Sequence, residues 1–263
     1  MVSWPPFLFP KVKKPAAPQV LEVAHGGTVY RVAVRRNKAA RRLILKVRSD
    51  SGEPVLTLPP RTTLATATDF LSRHTGWLAE RVRRLPERIA FEPGAVIPLR
   101  GVEHRIVHVP ALRGGVVVSP PAGAGETGTI AVHAPEGHLA RRLLDFLKAE
   151  ARRDLSAAVA VHARSLGVTV SRLTVKDTKS RWGSCAASGA LAFSWRLILA
   201  PPFVLEYLAA HEVAHRREMN HSPRYWAEVA RAFPAYEAAE SWLTRHGARL
   251  HRYGPAGARP DAR

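Results

Sequence analysis

The chain has 263 residues, of which 46% are apolar, so it can bury a hydrophobic core without disulfide staples. A single cysteine, Cys185, excludes an intrachain disulfide, and no apolar run reaches the length of about eighteen residues that a membrane span needs. The N-terminal sequence MVSWPPFLFPKVKK carries its basic cluster after the apolar part, unlike a signal peptide. We therefore expect a soluble, cytoplasmic protein with no membrane partner.

The formal net charge is +19, and a field of this sign concentrates polyanions at the surface. Nucleic acid or a nucleotide is therefore one candidate partner, with RRNKAARR at 35–42 and RRLLDFLKAEARR at 141–153 as candidate phosphate contacts. Basic residues are also dispersed along the chain, as expected for arginines that cover solvated faces. The charge leaves both interpretations open.

The N-terminal half has mainly strand-like patterns. TVYRVAV, RRLILKV and PVLTL, between Thr28 and Leu58, predict a small antiparallel meander. Apolar residues at helical spacing then predict a helix from Thr63 to Leu85. Further short strands are predicted in AVIPLRG, HRIVHVP and GTIAVHA.

The C-terminal half combines long helical patterns with two short strands. A helix is predicted from Glu136 to Leu166, ended by Gly167, with a break near Asp154. SRLTVKD and ALAFSWRLI are predicted strands, and FVLEYLAAHEVAHRREM is a predicted helix that starts at two prolines. Two more helices are predicted over residues 223–233 and 235–250.

These elements predict an α+β fold in four parts. They are a flexible arm at 1–18, a β-rich N-terminal region with one helix at 19–134, an α+β C-terminal region at 135–253, and a disordered tail at 254–263.

The segment HEVAHRREMNHSPRYW, residues 211–226, carries the strongest chemical signal. His211 and His215 are four positions apart on a predicted helix, so their rings project about 40° apart and two nitrogens can meet one ion. Zinc accepts neutral imidazole in a tetrahedral shell, and a catalytic site keeps one position for water. Glu212 lies beside that position without being a ligand, which makes it the candidate general base for attack by zinc-bound water.

Two residues are candidates for a third zinc ligand. Glu218 lies on the same helix face, a full turn beyond His215. His221 follows Asn220, a residue that can end a helix, and precedes Ser222 and Pro223, which suit the start of the next helix. We prefer His221, because such a turn folds its ring back toward the ion. The spacing equals that of metzincins, although Glu218 replaces their turn glycine.

Two structural interpretations compete with a catalytic site. The histidines could be satisfied by hydrogen bonds, or they could form a closed structural zinc site. A closed site needs a fourth protein ligand, and only Cys185 is an obvious donor.

RWGSC at 181–185, FSWRLILAPP at 193–202 and HEVAHRREMNHSPRYW together resemble the YgjP-like metal-dependent hydrolases, a zincin-like family related to the SprT-like and WLM metalloproteases. The resemblance is strongest over residues 172–243. It implies a zincin-like catalytic domain with one zinc ion on His211, His215 and His221 and with Glu212 as the catalytic glutamate. It also implies that RWGSC lies near the active-site cleft. Ser194 departs from the asparagine that the family often has there.

Several flanking residues are weaker candidates. Arg181, Arg196 and Tyr225 are candidates to stabilise the oxyanion formed when water attacks a carbonyl or phosphoryl group, beside a purely structural role. The strand ALAFSWR alternates apolar and polar residues, as expected either for an edge that binds an extended peptide or for an ordinary core strand. Cys185 lacks an activating partner and is interpreted as a buried thiol.

The leading functional hypothesis is a zinc metallopeptidase with a polypeptide substrate. A second hypothesis keeps the metal and changes the bond: a nucleotide pyrophosphatase that hydrolyses a phosphoanhydride. A third, suggested by the charge of +19, is a DNA-associated zinc protein that acts on proteins held at DNA or has no catalytic activity.

Overall fold

The computed structural model describes residues 19–48, 52–84, 88–178 and 181–256. The first two ranges form one compact unit and the last two form another. The predicted arm at 1–18 and residues 257–263 of the predicted tail lie outside the described residues. The α+β fold class is confirmed. None of the helices in the described ranges combines the length and the apolar character that crossing a membrane requires.

The first unit is a four-stranded sheet that shares a core with two helices. Its strands are β1 (Gln19–His25), β2 (Thr28–Arg36), β3 (Ile44–Val47) and β4 (Pro54–Leu58), in the spatial order β1-β2-β4-β3. β4 pairs in parallel with β2 and antiparallel with β3, so the predicted meander is wrong. Alternating apolar residues identify the buried face of a strand, but they do not identify the strand that pairs with it. In this sheet β4, with Leu56 and Leu58 fully buried, lies between β2 and β3.

The predicted helix from Thr63 is two helices, α1 (Leu64–Arg73) and α2 (Thr75–Arg83). Thr63 caps α1 by accepting a hydrogen bond from the backbone N–H of Thr66 at 3.1 Å. The helices are separated at His74, which has φ −114° and ψ 10°. Its ring stacks on Phe70 at 4.2 Å and its Nδ1 lies 2.8 Å from the Phe70 carbonyl oxygen. This local contact interrupts an otherwise continuous apolar pattern.

In its described residues, the second unit contains a four-stranded sheet, a three-stranded sheet, a two-stranded pair and four α-helices. The first sheet has the order β6-β7-β9-β8 and is formed by β6 (Val96–Leu99), β7 (Val102–Pro110), β8 (Val116–Ser119) and β9 (Gly128–Ala134). The second has the order β10-β12-β11 and is formed by β10 (Arg172–Lys176), β11 (Gly183–Cys185) and β12 (Ala190–Ser194). A short pair joins β5 (Ile89–Ala90) to β13 (Tyr253–Gly254). The helices are α3 (Leu139–Leu166), α4 (Pro202–Ala214), α5 (Pro223–Ala232) and α6 (Tyr236–Leu250).

Helix α3 runs without interruption through Asp154, so the predicted break is wrong. Its buried residues recur every three or four positions, which gives one continuous apolar stripe from Leu139 to Leu166. The polar Asp154 does not interrupt this stripe because it faces away from it and binds Arg100. Gly167 ends the helix in the left-handed conformation, with φ 62°, as predicted.

The units divide the chain differently from the sequence analysis, which places a boundary at residues 134 and 135. In the structure, Ile130 and Val132 of β9 belong to the same hydrophobic core as Leu143 and Leu147 of α3. The strands from β5 onward therefore belong with the C-terminal helices. Gly254, assigned from the sequence to the tail, lies in β13.

The predicted strand ALAFSWRLI ends at Ser194, and Trp195–Leu199 forms a 3-10 helix. The Ser194 side chain caps this helix by accepting a hydrogen bond from the N–H of Arg196 at 3.4 Å. β12 is the central strand of its sheet, so the edge interpretation is wrong for this segment. Ser194 and Arg196 are buried, because the chain lies between other elements on both faces.

Arg100 connects the sheet formed by β6, β7, β8 and β9 to helix α3 through ion pairs. It occupies the left-handed region, with φ 52°, in the two-residue turn between β6 and β7. Its Nε lies 2.7 Å from Asp154 Oδ2 and its Nη2 lies 2.8 Å from Glu150 Oε2.

We expect Arg100→Ala to lower the free energy of unfolding by about 1–2 kcal/mol, because two half-buried carboxylates lose Arg100 and keep only the exposed Arg153 as a cation. The turn itself is unaffected, since alanine keeps the Cβ. Urea denaturation measures the change. The control is Arg141→Ala, which removes an exposed contact of 3.9 Å with Asp145 on the same helix and should leave stability close to wild type. Equal stabilities of the two variants would contradict the assignment.

Candidate active site

Helix α4 carries the first residues of the site and is buried on nearly all sides. It begins at two prolines, and its buried residues include Leu208, Ala209, Ala210 and Val213, which do not share one face. A helix that is apolar all round lies inside the protein. His211 and Glu212 in its last turn are therefore held by packing rather than by local preference.

The helix ends at Ala214, with His215 as its C-cap, and not near Met219 as the sequence predicted. Tertiary contacts explain the early end. The Arg216 side chain donates to the Thr169 carbonyl at 3.2 Å and to the Ala187 carbonyl at 3.0 Å, and the Arg217 Nε donates to the Leu166 carbonyl at 2.6 Å. These bonds hold the turn that follows His215.

Ser222 begins the next helix, as predicted, by accepting a hydrogen bond from the Tyr225 N–H at 3.3 Å, with Pro223 in the first turn of α5. The chain between α4 and α5 reverses direction here. This reversal brings the ring of His221 against the ring of His211, with 5.2 Å between their centroids.

The three histidines converge on one point. One ring nitrogen from each of His211, His215 and His221 lies within 4.8 Å of the other two. The Nε2 atoms of His211 and His221 are 3.3 Å apart. Two nitrogens bound to the same tetrahedral ion at about 2.0–2.1 Å would be separated by roughly 3.3 Å. The residues present therefore fit a zinc ion.

The protonation of the rings also suits a metal. Burial, with the neighbouring His215 and His221, lowers the pKa of His211 to about 4. Burial likewise lowers the pKa of His215. Both rings are therefore neutral near pH 7, the form in which imidazole binds metals.

Hydrogen bonds at the outer nitrogens leave the inner ones available. His215 Nδ1 donates to the backbone carbonyl of Glu218 at 3.2 Å, and the Tyr207 hydroxyl oxygen lies 3.4 Å from His211 Nδ1. Such contacts orient the rings of metal-binding histidines.

Glu218 and Cys185 do not join the histidines. In the described part of the chain, the group that could hold an ion contains His211, His215 and His221 and neither of these residues. The Cys185 thiol lies near Glu212 and donates to the Ala186 carbonyl at 3.5 Å. Burial, with the charge of Glu212, raises the pKa of this thiol, so it is not an activated nucleophile.

Glu212 is buried beside β11. An added Cβ on Gly183 would lie 2.7 Å from Glu212 Cγ and 2.8 Å from Cδ, so the strand backbone packs directly against the carboxylate. Burial raises the pKa of Glu212 to about 7, and the positive charge of Arg181 partly opposes this. A carboxyl group with a pKa in this range can accept and return a proton near neutral pH.

Tyr225 lies beneath the histidines rather than beside an open position. Its hydroxyl donates to the His211 carbonyl at 3.0 Å and its ring stacks on His215 at 4.5 Å. The side chain is fully buried. These contacts position the histidines and leave the hydroxyl engaged, which does not support the oxyanion role expected from the sequence.

Arg181 and Arg196 have different surroundings. Arg181 is exposed and lines a cavity of about 370 Å³ beside His211 and Glu212. Arg196 is buried, pairs with Asp177, and its Nη2 lies 3.4 Å from the Tyr253 carbonyl oxygen. Arg196 does not line the cavity, so the structure brings only Arg181 of these two to the site.

A comparison with protein families finds a model that matches this chain. The family model described as "YgjP-like, metallopeptidase domain" matches residues 41–246, more than half of the chain. The chain belongs to the YgjP-like metallopeptidase family. The family assignment agrees with the resemblance that the sequence motifs indicate, and it makes the protein a metal-dependent peptidase in general terms.

A comparison with solved structures finds the metallopeptidase zymogen abylysin of Pyrococcus abyssi. That crystal structure is 20% identical over 38% of this chain and 98% of its own, with a TM-score of 0.33. A comparison with curated proteins finds no match.

One wall of the YgjP-like site is not among the residues predicted from the sequence. Glu240, Leu243 and Thr244 of α6 line the same cavity as Arg181. Their spacing of three and four positions places them on one helix face, and this signal was present in the sequence. The packing of α6 against α4 could not be inferred from it.

Gly183 supplies a test of this geometry. Gly183→Ala would place a methyl group against Glu212, and we expect peptide hydrolysis to fall by about 100-fold or more because the carboxylate is displaced. Metal content should stay at the wild-type value. Initial rates and metal analysis measure both. The matched control is Gly115→Ala, whose added Cβ meets no atom within 4 Å. Wild-type rates for Gly183→Ala would show that Glu212 does not depend on this contact.

Proposed function

We propose that this protein is a zinc-dependent metallopeptidase that uses Glu212 as its general base, with His211, His215 and His221 as the zinc ligands. The observation that carries the proposal is the convergence of three imidazole nitrogens next to a buried carboxylate. A bound zinc ion would supply a Lewis acid that polarises the scissile carbonyl and lowers the pKa of water to about 7.

Glu212 accepts a proton from the attacking water and donates it to the leaving amine. Its carboxylate is buried at the cavity beside His211, where it can accept the proton as a base and return it as an acid. The packing of Gly183 against the carboxylate keeps it in one orientation. Arg181, on the wall of the same cavity, is the cation available to the oxyanion.

β11 supplies an edge for an extended peptide. Among the described strands it pairs with β12 alone, and its residues Gly183–Cys185 lie next to Glu212. A peptide that adds to this edge by backbone hydrogen bonds would carry its scissile bond past the carboxylate. The sequence offers β12 as the edge that binds a peptide; we assign this role to β11, which lies at the edge of the sheet.

The base is tested by Glu212→Gln. We expect turnover of an unfolded polypeptide to fall by about 10³-fold or more, with one zinc ion per chain still bound, because the amide keeps the shape but cannot accept the proton. The control is Glu206→Gln, an exposed carboxylate on the same helix, which should keep wild-type activity. Nucleoside triphosphates are assayed in parallel. Phosphate release without peptide cleavage would replace the peptidase with a phosphoanhydride hydrolase.

The third ligand is tested by metal content. His221→Ala should lose zinc on dialysis, because two histidines cannot close the shell. Glu218→Gln should keep one ion per chain, since its backbone carbonyl, which contacts His215, is unchanged. Elemental analysis after dialysis gives the stoichiometry. Loss of zinc from Glu218→Gln with retention in His221→Ala would reverse the assignment.

A further inference from the structure

The cavity beside Glu212 has three walls of different character. Helix α4, helix α6 and the segment that enters β11 each contribute one wall. The lining residues are Arg181, Trp182, Gly183, Tyr207, Leu208, His211, Glu212, Glu240, Leu243 and Thr244. Its volume of about 370 Å³ admits one long side chain of a substrate held at β11.

The body of the cavity is suited to a chain of methylene groups. Leu208 and Leu243 face it from opposite helices. The Trp182 ring is fixed by stacking on His251 at 4.9 Å and by close contact with Gly247, so it forms a rigid apolar surface. These walls stabilise an aliphatic stem but provide no partner for a polar tip.

Glu240 supplies a negative charge at the same cavity. It is exposed, and in the described parts of the chain no arginine, lysine or histidine forms an ion pair with it. Its neighbours one turn away on α6 are Tyr236, Glu237, Leu243 and Thr244, which offer no cation. Tyr207 of α4 and Glu240 of α6 line the same cavity, so the carboxylate is at its wall.

Arg181, the cation of the cavity, acts on a different group. It lies on the segment that enters β11, whose Gly183 packs against Glu212. Arg181 therefore belongs to the Glu212 side of the cavity, and Glu240 on α6 is a carboxylate without an ion pair among the described residues. A cavity with apolar walls and one free carboxylate selects a side chain with an aliphatic stem and a cationic tip.

We propose that this cavity binds the side chain of a lysine or arginine next to the scissile bond and that Glu240 is the specificity-determining residue. The proposal rests on the peptidase function proposed above. It names the substrate class: unfolded or extended polypeptides cut beside basic residues.

The first test compares two peptides that differ only by lysine or norleucine next to the cleaved bond. We expect the wild-type kcat/KM to favour lysine by about fivefold at low ionic strength, as for a partly exposed charge pair. Glu240→Gln should bring the ratio close to one, and Glu240→Lys should favour glutamate at that position. The matched control is Glu237→Gln on the same helix, outside the cavity, which should keep the wild-type preference.

A second test measures binding without turnover. Zinc-loaded Glu212→Gln protein is titrated with labelled lysine and norleucine peptides by fluorescence anisotropy, with and without Glu240→Gln. The lysine peptide should bind about fivefold more tightly, and only when Glu240 is present. Equal affinities, or tighter binding of a glutamate peptide, would overturn the proposal. Wild-type cleavage without a basic preference also overturns it and leaves the peptidase intact. A basic preference in binding, without cleavage by the wild type, supports the cavity and rejects the peptidase.

Discussion

The burial of α4 is the constraint on which the site depends. This helix is packed by α3, α5, α6 and β11, and its core-facing residues occupy all sides. A helix in this environment has few positions for polar groups. Apart from the exposed Glu206, its polar residues Tyr207, His211 and Glu212 lie at one cavity. The packing therefore holds the His211 ring and the Glu212 carboxylate at that cavity.

The same burial sets the chemistry of each group. Removal from water disfavours charge, so it lowers the pKa of His211 and His215 and raises that of Glu212. Neutral imidazoles can bind a cation, and a carboxylate whose pKa is raised is a stronger base. One physical effect thus favours both the proposed ligand set and the proposed base. Tyr225 reinforces it, since its ring covers His215 on the protein side and its hydroxyl bonds the backbone of α4.

The parts predicted correctly from the sequence are those determined by local chemistry. The convergence of His211, His215 and His221 follows from helical spacing and from the capping signals at Ser222 and Pro223. Gly167 ends α3 because glycine readily adopts the left-handed conformation of a helix end, and this depends on one residue alone. The parallel pairing of β2 with β4 depends on which strands become neighbours in the sheet. The alternation of apolar and polar residues along a strand does not specify its neighbours. β1 had a local signal that was missed, since Gly26 and Gly27 form a two-residue turn with φ 55° and 78°.

Tertiary contacts explain the other differences within the second unit. Arginine side chains that reach the carbonyls of Thr169 and Leu166 end α4 at Ala214, although the sequence continues in a helical pattern. The sequence motif makes Arg196 an oxyanion candidate, but its side chain is buried, pairs with Asp177 and does not line the cavity. Both Arg181 and Arg196 lie in motifs close to the metal motif in sequence, so the sequence does not show which of them lines the cavity. Arg181 does so because it adjoins β11, which faces Glu212, whereas Arg196 lies in the 3-10 helix.

The net charge of +19 and the carboxylate of Glu240 at the cavity act over different distances. At physiological ionic strength the Debye length is about 8 Å, so charges spread over the surface have little influence on a side chain inside the cavity. There the nearby carboxylates Glu240 and Glu212, the guanidinium of Arg181 and the zinc ion proposed on His211 determine the potential. The overall charge would slow the approach of basic peptides at low salt, whereas Glu240 stabilises the bound side chain. Raising the salt concentration should therefore weaken the long-range repulsion more than the contact within the cavity.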